Sequence, residues 1–410
     1  MRMRSRAVLI GLASISAAAG VLAATPVASL ASASGKPHTA VCRAHPQPVA
    51  LLGSTYLAAA GAASTCDAWA VGSETSGGVT TNAIENWNGK AWTLQAAPDP
   101  APPAASGYKT SNDQLDGITV VSATDAWAVG FVSYANNGVL SATLILHWNG
   151  KAWKAVKSPD PGGPFQQNQL VAVSAAAAND IWAVGNYTSG GYQHSLAEHW
   201  NGKSWSAVAS PSPSAQNEDL YAVAATSATS AWAGGTVCRT ASVCPQVVQH
   251  WNGHHWSVAK LPVIKGESYG SIQGLSTYGG TQPGAWAAGF YQAGSSDNYQ
   301  VLILRWNGHS WKRTAVKGAP LGGGLFGVDA FSASSAIAVG TNYATPLETS
   351  FIARWNGKRW TFANAPAPYG SGFGYNLAGV GGGTCSDAWA VGSAYEGSDS
   401  SARDPLGLHC

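Results

Sequence analysis

Four stretches decide how this chain folds: LDGITVVS (residues 115–122), DAWAVGFVS (125–133), ATLILHW (142–148) and AWKAVKS (152–158). In the second of them Trp127 and Val129 alternate with Ala126 and Ala128. A period of two places the two sets on opposite faces of a β-strand. Between the third and fourth stretches stands Asn149-Gly150, a pair that tolerates positive φ and predicts a type I′ hairpin. The segment therefore reads as one unit of four short antiparallel strands.

The unit recurs with a period near fifty residues, and all 18 tryptophans fall at three of its positions. The first position holds Trp69, Trp127, Trp182, Trp232, Trp286 and Trp389, with Ile337 in place of a seventh. The second, in WNG, holds Trp87, Trp148, Trp200, Trp251, Trp306 and Trp355, and the third follows five residues later, from Trp92 to Trp360. A leucine lies twelve residues before the first position in six units, while in the fifth Ile272 sits two residues further back. Such a repeat predicts an all-β fold, a seven-bladed β-propeller of four-stranded antiparallel blades. A fifty-residue sheet alone buries too little surface, which argues against a row of separate domains.

The seventh unit stops at Gly407-Leu408-His409-Cys410, inside its third strand. Thr39 to Pro46 aligns with Lys154 to Pro159, the fourth strand of the second unit and its proline exit. An N-terminal strand is thus expected to complete the last blade and remove its open edge. Ahead of it, Arg2, Arg4 and Arg6 precede an apolar run from Ala7 to Ala23 and the small residues Ala31-Ser32-Ala33. That pattern reads as a signal peptide over residues 1–33, leaving 34–410 for the propeller. The run is too short and too rich in Ala and Gly for a bilayer span. The expectation is a secreted, extracellular, monomeric protein with no membrane span after signal removal. The formal charge of +2 falls to −1 without the three leader arginines, and there is no basic stripe; nucleic acid is not an expected partner.

The units resemble kelch or galactose-oxidase-type propeller repeats of the kind found in secreted actinobacterial proteins. The likeness lies in a second strand ending Val129-Gly130, a tight turn, a fourth-strand Trp such as Trp153 and a following Pro159, and it covers roughly residues 38 to 410. The WNG turn is also similar to the Asp-box hairpin of sialidase-type propellers, with Asn in place of Asp. Galactose-oxidase-type chemistry would imply a copper site of converging His and Tyr with a Tyr–Cys crosslink. The cysteines here are expected in bridges, so no cofactor and no metal is expected.

Six cysteines in an exported chain imply disulfides. Cys238 and Cys244 flank one short loop. Cys66 and Cys385 hold nearly the same place in units one and seven, which closure makes neighbours. Cys42 and Cys410 remain to staple the closing blade, although the alignment sets them several residues out of register.

No catalytic constellation emerges. His147, His199, His250 and His409 occupy one repeat position, as do Asp67, Asp125, Asp180 and Asp387, so both sets read as structural. The acids outside the repeat are Glu74, Asp113, Asp160, Glu218, Asp219, Glu267, Asp297, Glu348, Glu396 and Asp399, any pair of which, suitably spaced, would serve glycoside hydrolysis. Topology puts the strand 1–2 and 3–4 turns on one side of the disc and the 2–3 and 4–1 connections on the other. The second side carries dissimilar loops with Tyr134, Asn136, Tyr187, Tyr192, Tyr291 and Tyr343, residues suited to stacking on sugars and bonding their hydroxyls. These are the candidate ligand-binding residues of a non-catalytic propeller for a polysaccharide, a cell-envelope component or a protein. The alternatives are a secreted glycan-active enzyme with an acidic pair in the axial cleft, and a structural extracellular protein.

Overall fold

The computed structural model of the chain describes residues 43–44, 54–100, 112–134, 140–211, 217–240, 242–279, 283–293, 298–384, 387–397 and 403–410. The expected signal peptide and the residues Cys42, Asn136 and Cys385 lie outside the described residues. Seven four-stranded antiparallel sheets follow the repeat in order. The second blade, for example, runs Asn112–Ser122, Asp125–Ser133, Ser141–Trp148 and Trp153–Val156. No helix among the described residues is long and apolar enough to cross a membrane.

The first strand of every blade borders a central channel. Each of these strands carries a β-bulge at the same place. In the second blade Leu115 opposes Gly130 and Gly117 opposes Val129, so that Asp116 is left over. The fully buried Leu115 points into the packing between blades, whereas Asp116 lines the channel. A bulge sets two residues against one and re-aims a side chain. The opposing glycine is required by the same feature, since a Cβ on Gly130 would sit 1.9 Å from the Gln114 carbonyl oxygen.

The tryptophans form the seams between blades. Trp69 of the first blade packs on Trp148 (5.0 Å between centroids) and edge-on to Trp153 (5.2 Å) of the second. Trp127, Trp182, Trp232 and Trp286 repeat this against the second- and third-position tryptophans of the next blade. Trp389 of the seventh blade closes the ring on Trp87 (4.9 Å) and Trp92 (4.8 Å) of the first. Nearer the axis, side chains reach across the seams to backbone. The Ala175 N–H donates to Thr119 Oγ1 (3.3 Å), that of Ala225 to Ser174 Oγ (3.0 Å), and that of Gly382 to Asp329 Oδ2 (2.9 Å).

The last blade is completed by Arg43–Ala44, which pairs with Asp404–His409. Arg43 opposes His409 and Ala44 opposes Leu408. In the second blade the residue opposing the equivalent His147 is Lys154, so the closing strand sits four residues from the register that sets Thr39 against Lys154. The 3–4 hairpins also differ from the expected two-residue turn. Trp148 pairs with Trp153, leaving four loop residues. Asn149 Oδ1 accepts the N–H groups of Lys151 and Ala152, both at 3.1 Å, and Gly150 takes φ 83°. The asparagine side chain thereby replaces backbone partners inside the turn.

Candidate functional site

The bulge residues around the channel are Ala58, Asp116, Val171, Tyr221, Gln273, Phe326 and Ala378, and they enclose about 250 Å³. No two neighbouring blades contribute the same chemistry except the seventh and first, which both contribute alanine. Each first strand enters from its 4–1 connection, so the residues preceding the bulge lie toward the side of the long loops. There Gln114 donates to Asp116 Oδ1 (2.6 Å), and Tyr221 bonds Asp219.

Five rings from the fifth and sixth blades form a continuous aromatic wall at this mouth. Tyr269 lies 6.1 Å from Phe290, which contacts Tyr299 at 4.7 Å and Phe326 at 5.9 Å. Tyr343 joins Tyr299 (6.3 Å) and Phe326 (6.2 Å) from the loop of the next blade. Beside it the Arg403 guanidinium lies 5.6 Å from the centre of the Tyr56 ring, and Tyr56 lines the channel.

Desolvation governs the ionisable groups here. It raises Asp116 to about 6, with the Gln114 hydrogen bond opposing, and raises Asp219 to about 6 against the bond from Tyr221. Tyr56 is pushed up to about 12 by burial first and the Asp116 charge second, while Arg403 pulls it back. Burial also raises Tyr221, Tyr269 and Tyr343. Glu348 is raised by burial, with Arg403 and bonds from Tyr395 and Asn376 opposing. The mouth thus offers neutral phenol donors, flat aromatic faces and two carboxyls poised near neutrality. No group of three metal-binding side chains occurs among the described residues.

Of the residues singled out from sequence, Tyr343 stands in this wall. Tyr134 is buried and donates to the Pro164 carbonyl (2.9 Å). Tyr291 is buried against Gln300 (2.6 Å) and Arg313. Tyr187 lies beside His194, 5.4 Å between rings, and Tyr192 is 45% exposed at the 2–3 turn of its blade. Sequence reasoning passed over Asp116, Tyr56 and Phe326. The signal for Asp116 and Phe326 was the position after the marked leucine, and for Tyr56 the position before it, both of which vary from unit to unit.

The repeated His and Asp sets pair on the opposite side of the disc. His147 meets Asp125 at 2.9 Å, His199 meets Asp180 at 2.7 Å and His409 meets Asp387 at 2.8 Å. Each imidazole also covers an indole, as His147 does Trp127 at 4.1 Å. They brace the seams.

Cys238 and Cys244 form a disulfide, and Cys410 is disulfide-bonded as well. Cys66 is a free, exposed thiol, and Cys385, its expected partner, lies outside the described residues. The Cys66 side chain lies over its own blade's turn at Gly89.

No protein-family model and no curated protein matches this sequence. Solved structures do. An ulvan lyase, described as a new family of polysaccharide lyase, superposes with a TM-score of 0.52 at 11% identity, covering 88% of this chain and 95% of that one. The same lyase bound to -[GlcA(1-4)Rha3S]- gives a TM-score of 0.50 at 11% identity over 90% and 94% of the two chains. A xyloglucanase from Xanthomonas campestris gives 0.52 at 13% identity over 88% of this chain and 55% of that one. At these identities the likeness is one of fold.

Proposed function

We propose that this protein is a secreted, non-catalytic binding propeller that takes a saccharide at the axial mouth on the side of the 2–3 and 4–1 loops. One observation carries the reading: the contiguous wall of Tyr269, Phe290, Tyr299, Phe326 and Tyr343 beside the hydrogen-bonding groups of Tyr56, Gln114 and Asp116. Flat rings pack on the apolar faces of pyranoses, and convergent polar groups orient the hydroxyls. The lyase and xyloglucanase of the same fold, which act on glycans by their descriptions, are consistent with it. The test is a glycan array on residues 34–410, followed by titration of the best ligand. Tyr299→Ala and Tyr343→Ala are each expected to weaken binding about fivefold, the worth of about 1 kcal/mol of ring contact. Tyr192→Ala, on the same side but at a blade turn, is expected to bind as the parent does. Equal loss in all three would remove the axial mouth as the site.

A second reading, a glycan-active enzyme, is favoured by one specific observation. Asp116 and Asp219 come from non-adjacent blades and both rise to about 6, the tuning an acid–base pair needs. Reducing-end or unsaturated products released by the parent protein, and abolished in Asp116→Asn and Asp219→Asn without loss of binding, would decide for it.

A further inference from the structure

The seam between the fourth and fifth blades differs from the two before it. At the second-to-third and third-to-fourth seams the residue before the exit proline is a serine that closes the gap by a hydrogen bond, whereas at the first-to-second seam it is Ala97. Ser158 donates to Glu198 Oε2 (2.8 Å), and Ser210 donates to Gln249 Oε1 (2.7 Å). At the fourth-to-fifth seam both partners are apolar, Leu261 and Leu304. Outside them lies a groove of about 650 Å³, floored by Trp306, Trp311, Leu261 and Pro262. Its walls carry Lys260, His309, Lys312 and Arg313, and no carboxylate lines it. The fourth strand of the fifth blade, Trp311–Arg313, is the only fourth strand with two consecutive cations after its tryptophan. Arg313 is held in place by stacking on Tyr291, 4.6 Å from the ring centre, and by donating to its hydroxyl. Glu267 feels Arg313 and Arg239 but is not part of the groove.

The charge is local. Residues 238–318 hold seven Lys and Arg against two Asp and Glu, a net +5 in a chain whose total is +2. A recessed, partly aromatic floor with cations on both walls matches a chain that is apolar on its ring faces and anionic at its rim. We propose that this groove binds a segment of an anionic polysaccharide through its carboxylate or sulfate groups. The site is independent of the axial mouth. A nucleic acid, with phosphates at short regular intervals, calls for a longer basic track than these few cations provide.

The experiment measures binding of the full chain to polygalacturonate, dextran sulfate and neutral dextran by affinity electrophoresis and calorimetry. The parent is expected to bind one or both anionic polymers and not dextran, and the preferred polymer identifies carboxylate or sulfate as the group read. Lys260→Glu with Lys312→Glu is expected to weaken that binding by about tenfold or more. Lys151→Glu with Lys203→Glu, an equal charge change in exposed turns of the second and third blades, is expected to leave it within about twofold, as is Tyr343→Ala at the axial mouth. Absence of binding to both anionic polymers, equal losses in the two lysine pairs, loss in Tyr343→Ala, or tighter binding of a thymidine oligonucleotide than of either polymer would each overturn the proposal.

Discussion

The glycine closing each second strand shows how a single residue answers to its neighbour across the sheet. Gly130 opposes Leu115 just where the first strand bulges, and the Gln114 carbonyl oxygen occupies the space a Cβ would need. Its φ is not in the positive range, so the requirement is one of space and not of backbone freedom. Gly130→Ala is therefore expected to be destabilising, at or above the roughly 1–3 kcal/mol typical of overpacking. Gly407→Ala serves as the matched comparison, since Gly407 lies in a strand of the last blade with nothing within 4 Å of an added Cβ. Urea titration of both variants checks this, and comparable midpoints for the two would contradict the role given to the bulge.

Between elements, the seams explain why the repeat lacks tryptophans where it does. Each first-position Trp packs on the second- and third-position pair of the following blade. The seventh blade has Cys410 in the second slot and no tryptophan in its fourth strand. The sixth blade accordingly presents Ile337, which shares a cluster with Leu406, Leu408 and Cys410. The missing tryptophans are thus one packing event, not three. Trp389→Ala, which empties the seam between the last and first blades, is expected to cost about 3–5 kcal/mol. Ile337→Trp is expected to destabilise too, because its neighbour offers no indole pair and the site is already filled. A gain in melting temperature on restoring this repeat tryptophan would refute the seam account.

At the scale of the whole molecule, buried carboxyls set the response to pH. Glu85 and Glu198 rise to about 8 and Asp116, Asp219 and Asp329 to about 6, in every case chiefly by desolvation. A folded-state value above the unfolded one means that the folded protein holds more protons in between. Stability from these groups is then fully present below about pH 4 and is lost as pH rises through about 6 and then about 8. The urea midpoint is expected to fall from pH 5 to pH 9, and Glu85→Gln with Glu198→Gln is expected to flatten the upper part of that fall. A midpoint that rises over this range in the parent protein would mean that the carboxyls are solvated.

By itself the sequence determined the blades, their number and their closure. Strand alternation, Asn-Gly turns and tryptophan spacing are local patterns, and a fifty-residue sheet with two sticky faces has few ways to bury them except in a ring. Only the tertiary structure decided that the bulge position faces the axis, because the bulge reverses the alternation that a period of two implies. The same holds for the wall of Tyr269, Phe290, Tyr299, Phe326 and Tyr343, assembled from two blades, and for Asp116 and Asp219, brought to one mouth from residues about a hundred apart. Tyr134 and Tyr291, expected in loops, shared the composition of a binding surface, yet packing turned them inward, and Tyr291 lies within the strand Gly284–Ala293. The direction of a side chain relative to the channel is fixed by ring closure and by register across strands, and neither is a property of any short stretch of chain.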